Sequence, residues 1–419
     1  MSIYSLSSLL QTTPTSLLLL ILTTLLLLLL FTAYIALYLL APKPRAPYPS
    51  EKHYITTTPS GSISTPRPLP CWYDRWRATS ALSQNESYPT IPAGFPVPET
   101  GTIEPAEVAM SVVIPAYNEA DRITPTLEEM VEYLDANFGR PATPSNPFKG
   151  VLKPGTGKPS SRPTTPHRIV FKNRKGVATG YEIIIVNDGS KDKTVDVALE
   201  VSRKHGLHDV VRVVTLEKNR GKGGGVTHGL RHVRGEYAVF ADADGASRFS
   251  DLTKLIEGCE DVVDGSNRGV AIGSRAHLVG SEAVVKRSAV RNFLMRSFHF
   301  VLMILTPPAT SRIRDTQCGF KLFSRAALPH IVPYMHSEGW IFDIEMLMLA
   351  ESAPATPVLA SDGSVIGTSY GIKVAEVPIA WHEVDGSKMN LVQDSIKMAI
   401  GLAVLRASWM LGVYRRRLT

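Results

Sequence analysis

The chain has 419 residues, a formal net charge of +7 and three cysteines, Cys71, Cys259 and Cys318. That length suits one large domain or two small ones. The charge is modest and no basic motif is interleaved with aromatics, which argues against nucleic acid as a partner; the cysteines are odd in number and lack metal-ligand spacing, which fits a reducing compartment.

Residues 1–42 carry no charged side chain, and residues 17–40 are almost unbroken apolar sequence. As a helix that run would span about 36 Å, against roughly 30 Å for a hydrocarbon core. A cleaved signal peptide would have a basic leading region and a shorter apolar core, so an uncleaved, single-pass anchor is expected over 1–42. Lys43, Arg45 and Lys52 all follow the span. The positive-inside rule then places the C-terminal bulk in the cytosol. The sequon Asn85-Glu86-Ser87 should stay unmodified on that topology. Residues 43–107 are rich in Pro, Ser and Thr and read as a tether lying against the domain.

Regular α/β alternation begins next. Strands are expected at 110–114, 181–186, 210–216, 237–241, 270–272 and 373–380, with helices at 121–138, 192–205 and 223–233. This order predicts βαβ units and a mostly parallel sheet. Residues 139–180 and 352–371 break the pattern as surface insertions, and neither is expected to carry chemistry.

The polar clusters fall where strands end, which is where open α/β sheets bind ligands. Asp242-Ala243-Asp244 follows the apolar run 237–241. Two carboxylates two residues apart can turn toward one hard cation, Mg²⁺ or Mn²⁺, held jointly with substrate phosphates. Pro115-Ala116-Tyr117-Asn118-Glu119 and Asn187-Asp188-Gly189-Ser190 end the first and second strands, expected to be neighbours in the same sheet. Asp188 can accept from a base imide N–H, and Glu119 can take ribose hydroxyls; a plain turn and helix cap is the alternative for Asp188-Gly189-Ser190. Asn219-Arg220-Gly221-Lys222-Gly223-Gly224-Gly225 permits close backbone approach, with Arg220 and Lys222 offering charge to a diphosphate. It lacks the spacing of a Walker loop.

These motifs, together with Gly273-Ser274-Arg275, Asp315-Thr316-Gln317-Cys318-Gly319-Phe320-Lys321 and Gly386-Ser387-Lys388, resemble family 2 glycosyltransferases of the GT-A fold, and among them the dolichyl-phosphate branch. The resemblance covers about residues 108–392. It implies a Rossmann-like catalytic domain and inverting transfer of glucose from UDP-glucose to dolichyl phosphate, for protein N-glycosylation at the endoplasmic reticulum membrane. Pro115, Tyr117, Glu119 and Asp188 would hold uridine. Asp242 and Asp244 would hold metal and the sugar-proximal diphosphate, and Arg275 and Lys388 would face phosphates. The mannosyl members carry Leu-Gln after the second Asp, whose Gln helps bind metal; here Gly245 and Ala246 stand there, so water or Ser247 must complete the shell.

An acceptor phosphate is already an anion at neutral pH and needs no general base, whereas a hydroxyl acceptor does. Asp343 and Glu345 are the candidates for a base or a sugar-hydroxyl ligand; as an acidic pair at a helix start they equally suit the dipole. Residues 284–305 carry Lys286, Arg287, Arg291 and Arg296, no acid, and a row of apolar residues, the pattern of a helix lying on a lipid bilayer. Lys286, Arg287, Ser288 and Arg291 are the expected acceptor-phosphate contacts. The C-terminal residues 393–419 read as a second basic amphipathic helix. Two other readings compete: a different membrane glycosyltransferase of this fold, such as a mannosyl transferase or a polysaccharide synthase, and a non-catalytic sugar-nucleotide-binding module. A processive synthase should show Gln-x-x-Arg-Trp and several spans, and a binding module should have lost the Asp pair or the basic loop.

Overall fold

The computed structural model describes residues 14–84, 103–140, 178–278, 297, 300–359, 365–384 and 391–416. Helix α1 (Thr15–Leu40) is long and apolar enough to cross a membrane and buries none of its residues against the protein. Thr23, Thr24 and Thr32 return their hydroxyls to carbonyls three or four residues back, at 2.8, 2.7 and 2.9 Å.

The stretch expected to be a tether is, over its first half, part of the domain. Strands β1 (His53–Tyr54) and β2 (Arg67–Pro68) pair antiparallel, and helix α2 (Trp72–Gln84) follows. Tyr54, Leu69, Trp72 and Trp76 are buried in the core, and the Trp72 indole donates to the Leu230 carbonyl at 2.7 Å. Composition misled here: Pro, Ser and Thr set the average, but four spaced apolar residues decide the packing. Ile55 also bridges Val213 and so covers an open sheet edge. The sequon at Asn85 lies outside the described residues.

The core is a seven-stranded sheet built from β3 (Val108–Ala116), β4 (Tyr181–Asn187), β5 (Val211–Thr215), β6 (Gly235–Ala241), β7 (Val270–Ser274), β8 (Phe320–Ser324) and, later in the chain, β11 (Val374–Pro378), in the order β11-β7-β8-β6-β3-β4-β5. All neighbours run parallel except β8, which lies antiparallel between β6 and β7. The parallel strands are near-continuous Val, Ile and Ala because both their faces are covered. Strand β8 was not expected. Lys321 interrupts its apolar run, and only tertiary pairing makes a lysine tolerable there.

Helices α3 (Ile123–Asn137), α4 (Thr194–Lys204), α5 (Gly221–Leu230) and α6 (Leu252–Val262) cover the sheet. α3 does so with Ile123, Leu127, Met130, Val131 and Leu134, one stripe at helical spacing. α7 (Phe342–Glu351) is buried along its length but for Glu351. The second insertion contains an antiparallel hairpin, β9 (Thr356–Leu359) with β10 (Val365–Ser369), while residues 141–177 of the first lie outside the described residues. Helix α8 (Leu391–Met410) buries Met398, Leu402 and Leu405 in a cluster with Ile341, Ile344 and Met348. Leu302 and Ala41, just past the end of α1, join that cluster, while Phe300, Met303, Ile304, Ile396 and Ile400 stay exposed.

Candidate active site

The loops after β3 and β4 are stitched together. Asn118 sits in the left-handed region (φ 53°), which an Asn tolerates. Its N–H donates to Ser190 Oγ at 2.9 Å and its Oδ1 accepts from the Lys191 N–H at 2.8 Å. Glu119 and Ala120 donate their N–H groups to Thr194 Oγ1 and Asp192 Oδ2 at 2.8 and 3.0 Å. The Glu119 carboxylate is paired with Arg122 at 2.6 Å. Pro115 and Tyr117 are half-buried beside these loops.

Asp188 lies at the end of β4, and its Oδ1 accepts the Arg220 N–H at 2.6 Å. Burial pushes its carboxyl up to about 6, although the Arg220 and Gly221 N–H groups and the charge of Arg45 pull the other way. Gly189 beside it has φ +74°, a conformation that favours glycine.

The helix expected from Gly223 begins two residues earlier, so that helix α5 (Gly221–Leu230) takes in every glycine of the segment. Glycine is a poor helix former. Here it is needed for approach: a Cβ on Gly223 would lie 2.6 Å from Phe342 Cβ. The two cations of the segment part company. Arg220, expected to serve a diphosphate, is committed elsewhere: Nη2 pairs with Glu51 at 2.7 Å and donates to the Ala46 carbonyl, and Nη1 donates to that of Arg45. A buried guanidinium needs such a full set of acceptors. Lys222 instead reaches Asp242, Nζ to Oδ1 at 2.5 Å. Burial opposes its charge, yet the fields of Asp242, Asp343 and Asp244 outweigh it and raise its pKa.

Asp242 and Asp244 follow β6. Burial, and then the charge of Asp242, raises the Asp244 carboxyl, so the two aspartates feel each other. Gly319 closes on them: a Cβ there would fall 2.0 Å from Asp242 Oδ2. Among the described residues no third His, Cys, Asp or Glu completes a metal-binding cluster. Two hard oxygen donors with most of a shell left open fit a divalent ion shared with a diphosphate. Ala246 N donates to Asp244 Oδ1 at 3.1 Å, so the position that carries Gln in mannosyl members here offers a backbone N–H to the aspartate.

Arg275, after β7, is held in a two-pronged grip by Asp315, Nε to Oδ2 at 2.7 Å and Nη2 to Oδ1 at 2.8 Å. Asp315 N and Ser274 Oγ both donate to Glu376 Oε1. Burial works against the guanidinium charge and Asp315 more than restores it. Asp343 is buried and pairs with Lys321, Oδ1 to Nζ at 2.5 Å, while the same Nζ donates to the Cys318 carbonyl at 2.6 Å. Burial raises the Asp343 carboxyl against the pull of Lys321 and Lys222. Glu345 is no base. It accepts the His336 and Ser337 N–H groups and faces the His336 ring, and so holds the 336–338 turn. Lys286, Arg287, Ser288, Arg291 and Lys388 lie outside the described residues.

A profile described as Glycosyl transferase family 2 matches residues 174–328. The chain is 36% identical to a dolichyl-phosphate beta-glucosyltransferase of Saccharomyces cerevisiae over 91% of both chains. It is 35% identical to one of Homo sapiens, covering 73% of this chain and 77% of that one. The chain belongs to the dolichyl-phosphate β-glucosyltransferases. These family 2 enzymes have the GT-A fold, to which the mostly parallel sheet corresponds. The glucosyl-3-phosphoglycerate synthase of Mycobacterium tuberculosis overlaps at 15% identity and a TM-score of 0.39, over 71% of this chain and 80% of that one. At that TM-score the overlap says nothing about the site.

Four residues that hold this candidate site together were given no role from sequence: Asp315, Lys321, Gly319 and Glu51. The first three stand inside a motif that resembles the family, so a signal was present. Glu51 lies in a Pro/Ser/Thr-rich stretch and gave none.

Proposed function

We propose that the protein transfers glucose from UDP-glucose to dolichyl phosphate, with inversion, at the cytosolic face of the endoplasmic reticulum membrane. The observation that carries this reading is the cluster after β6, where Lys222 meets Asp242 and Asp244 beside loops of nucleotide-binding type. The names of its relatives supply the sugar and the lipid.

Asp188 and Glu119, on stitched loops, would orient the uridine with Pro115 and Tyr117. Asp242 and Asp244 would hold Mg²⁺ or Mn²⁺, which when bound supplies positive charge to the leaving diphosphate. Lys222 would leave Asp242 for a diphosphate oxygen and neutralise the charge that builds as the glycosidic bond breaks. Arg275, kept rigid by Asp315, would face phosphate, with Lys388 alongside. Asp343 is already bonded to Lys321, which suits a reaction whose acceptor carries no proton to remove. It would act as a fixed negative charge that keeps Lys222 in place.

The acceptor would arrive along the bilayer. The exposed row Phe300, Met303, Ile304, Ile396 and Ile400 belongs to elements that share a cluster with the foot of α1, which supports membrane contact on that side. Lys286, Arg287, Ser288 and Arg291 would meet the lipid phosphate, which then attacks the anomeric carbon opposite UDP. The test is transfer from labelled UDP-glucose, UDP-N-acetylglucosamine and GDP-mannose to dolichyl phosphate by the full chain in micelles. Glucose transfer alone is expected, and transfer from GDP-mannose instead would overturn the sugar. Protection of residues 60–84 from protease in sealed microsomes would overturn the orientation.

A further inference from the structure

We propose that residues 45–52, the strap between the membrane anchor and the domain, are part of the donor site, with Glu51 as a positioning residue that sets the shape of the nucleotide loop. This rests on the donor reading above and extends it to a segment outside the residues matched by the family profile.

Glu51 is a fully buried carboxylate with both oxygens in use. Oε1 accepts the Glu217 N–H at 3.0 Å, and Oε2 accepts the Tyr48 N–H at 2.9 Å and Arg220 Nη2 at 2.7 Å. Its carbonyl meets His228 Nε2 at 2.9 Å, in the last turn of α5. Ser50 adds a hydrogen bond to Glu217. The strap therefore grips the β5–α5 connection at its beginning, at Arg220 and again inside the helix. Arg220 transmits the grip, because its side chain is held by Glu51 while its backbone N–H binds the Asp188 carboxylate. Two residues on is Lys222.

Arg45 closes the other side. Its Nε donates to Glu338 Oε2 at 2.8 Å and its Nη2 to the Asn219 carbonyl at 3.2 Å. The Glu338 carbonyl in turn accepts the Gly224 N–H at 3.1 Å. Residues 219–224 are clasped between the strap and residue 338. At its upstream end the strap is fixed too, since Tyr414 donates its hydroxyl to the Pro42 carbonyl at 2.6 Å. A chain of bonded groups thus runs from the foot of α1 to the carboxylate proposed to read the base. An ordinary packing segment would bury apolar surface; this one brings a buried carboxylate and an arginine to one loop.

The experiment uses the full chain in detergent, measuring UDP affinity by calorimetry and KM for UDP-glucose and dolichyl phosphate separately. Glu51→Gln keeps size and loses charge, and is expected to weaken UDP binding and raise the donor KM about tenfold, the scale of one charge-assisted hydrogen bond. Arg45→Ala removes a half-exposed side chain and is expected to do the same about threefold. In both, kcat and the KM for dolichyl phosphate stay as in wild type. If Glu51→Gln does not fold, Arg45→Ala decides alone. Wild-type UDP affinity in the folded variants overturns the proposal, as does an equal loss for both substrates. If the wild-type chain binds no UDP, the donor reading itself falls and the strap's role in it falls with it.

Discussion

Two lysine–aspartate pairs stand side by side at the site, each 2.5 Å across: Lys222–Asp242 and Lys321–Asp343. They are coupled, for Asp343 raises the Lys222 pKa and Lys222 pulls down on Asp343. Burial separates them. The side chains of the first pair are 20% and 31% exposed, those of the second 0% and 4%. An ion pair that water and ligands can reach is exchangeable, whereas one sealed in the core can only be kept whole or removed whole. The first pair is therefore suited to open onto a substrate and the second to serve as its frame.

The largest effect should come from breaking the frame. Lys321→Met leaves Asp343 buried without its partner, and loss of one member of a buried pair typically lowers stability by about 3–5 kcal/mol. Replacing both, as Lys321→Met with Asp343→Leu, should recover most of that stability in a denaturant titration while activity stays low. If the single variant unfolds at the wild-type midpoint, the two pairs do not differ as described.

Next comes Asp244→Asn, which keeps the size and removes the charge on the exchangeable side. Loss of one electrostatic contribution of this kind costs roughly 2.7–4 kcal/mol in the barrier, a factor of about 10²–10³ in kcat. The unfolding midpoint should not fall. Chelation of divalent ions should cost wild type as much and the variant little more. Turnover near wild type in Mg²⁺ or Mn²⁺ would remove both aspartates from the metal assignment.

Lys222→Met sharpens the contrast directly. Losing a part-exposed pair should change stability by no more than about 1 kcal/mol, while kcat/KM falls by about one to two factors of ten because a charged hydrogen bond to the diphosphate is lost. A stability loss as large as that of Lys321→Met would mean that Lys222 also belongs to the frame.

The same contrast explains what could be read from sequence. The parallel strands β3, β4, β5 and β6 are legible because burial on both faces leaves an apolar run that local pattern detects. Asp188, Lys222, Asp242 and Asp244 are legible because they sit just past those runs. Strand β8 was hidden by Lys321, whose burial depends on Asp343, 22 residues away. The reversal of Arg220 was hidden for the same reason, since its partner Glu51 is 169 residues upstream. Pairing across such distances leaves no local periodicity.

The smallest predicted effect concerns Asp188, a single buried carboxylate with no lysine hydrogen-bonded to it among the described residues. Its pKa is raised to about 6 by burial. The folded chain thus takes up this proton more readily than the unfolded chain does. The group's contribution to stability is present in full below the unfolded value near 4 and is lost as pH rises through about 6. At neutral pH Asp188 is therefore charged at some cost to the fold, which is tolerable if the charge serves a ligand. A base imide N–H needs the carboxylate as acceptor, so UDP and the proton compete for it. UDP affinity measured by calorimetry should be full above pH 7 and fall several-fold by pH 5.5, on the scale of one shifted titration. Asp188→Asn should bind more weakly at pH 7.5 and show a flatter profile. A wild-type profile flat from pH 7.5 to 5.5 would free Asp188 of any role in reading the base and leave it, like Asp343, a part of the frame.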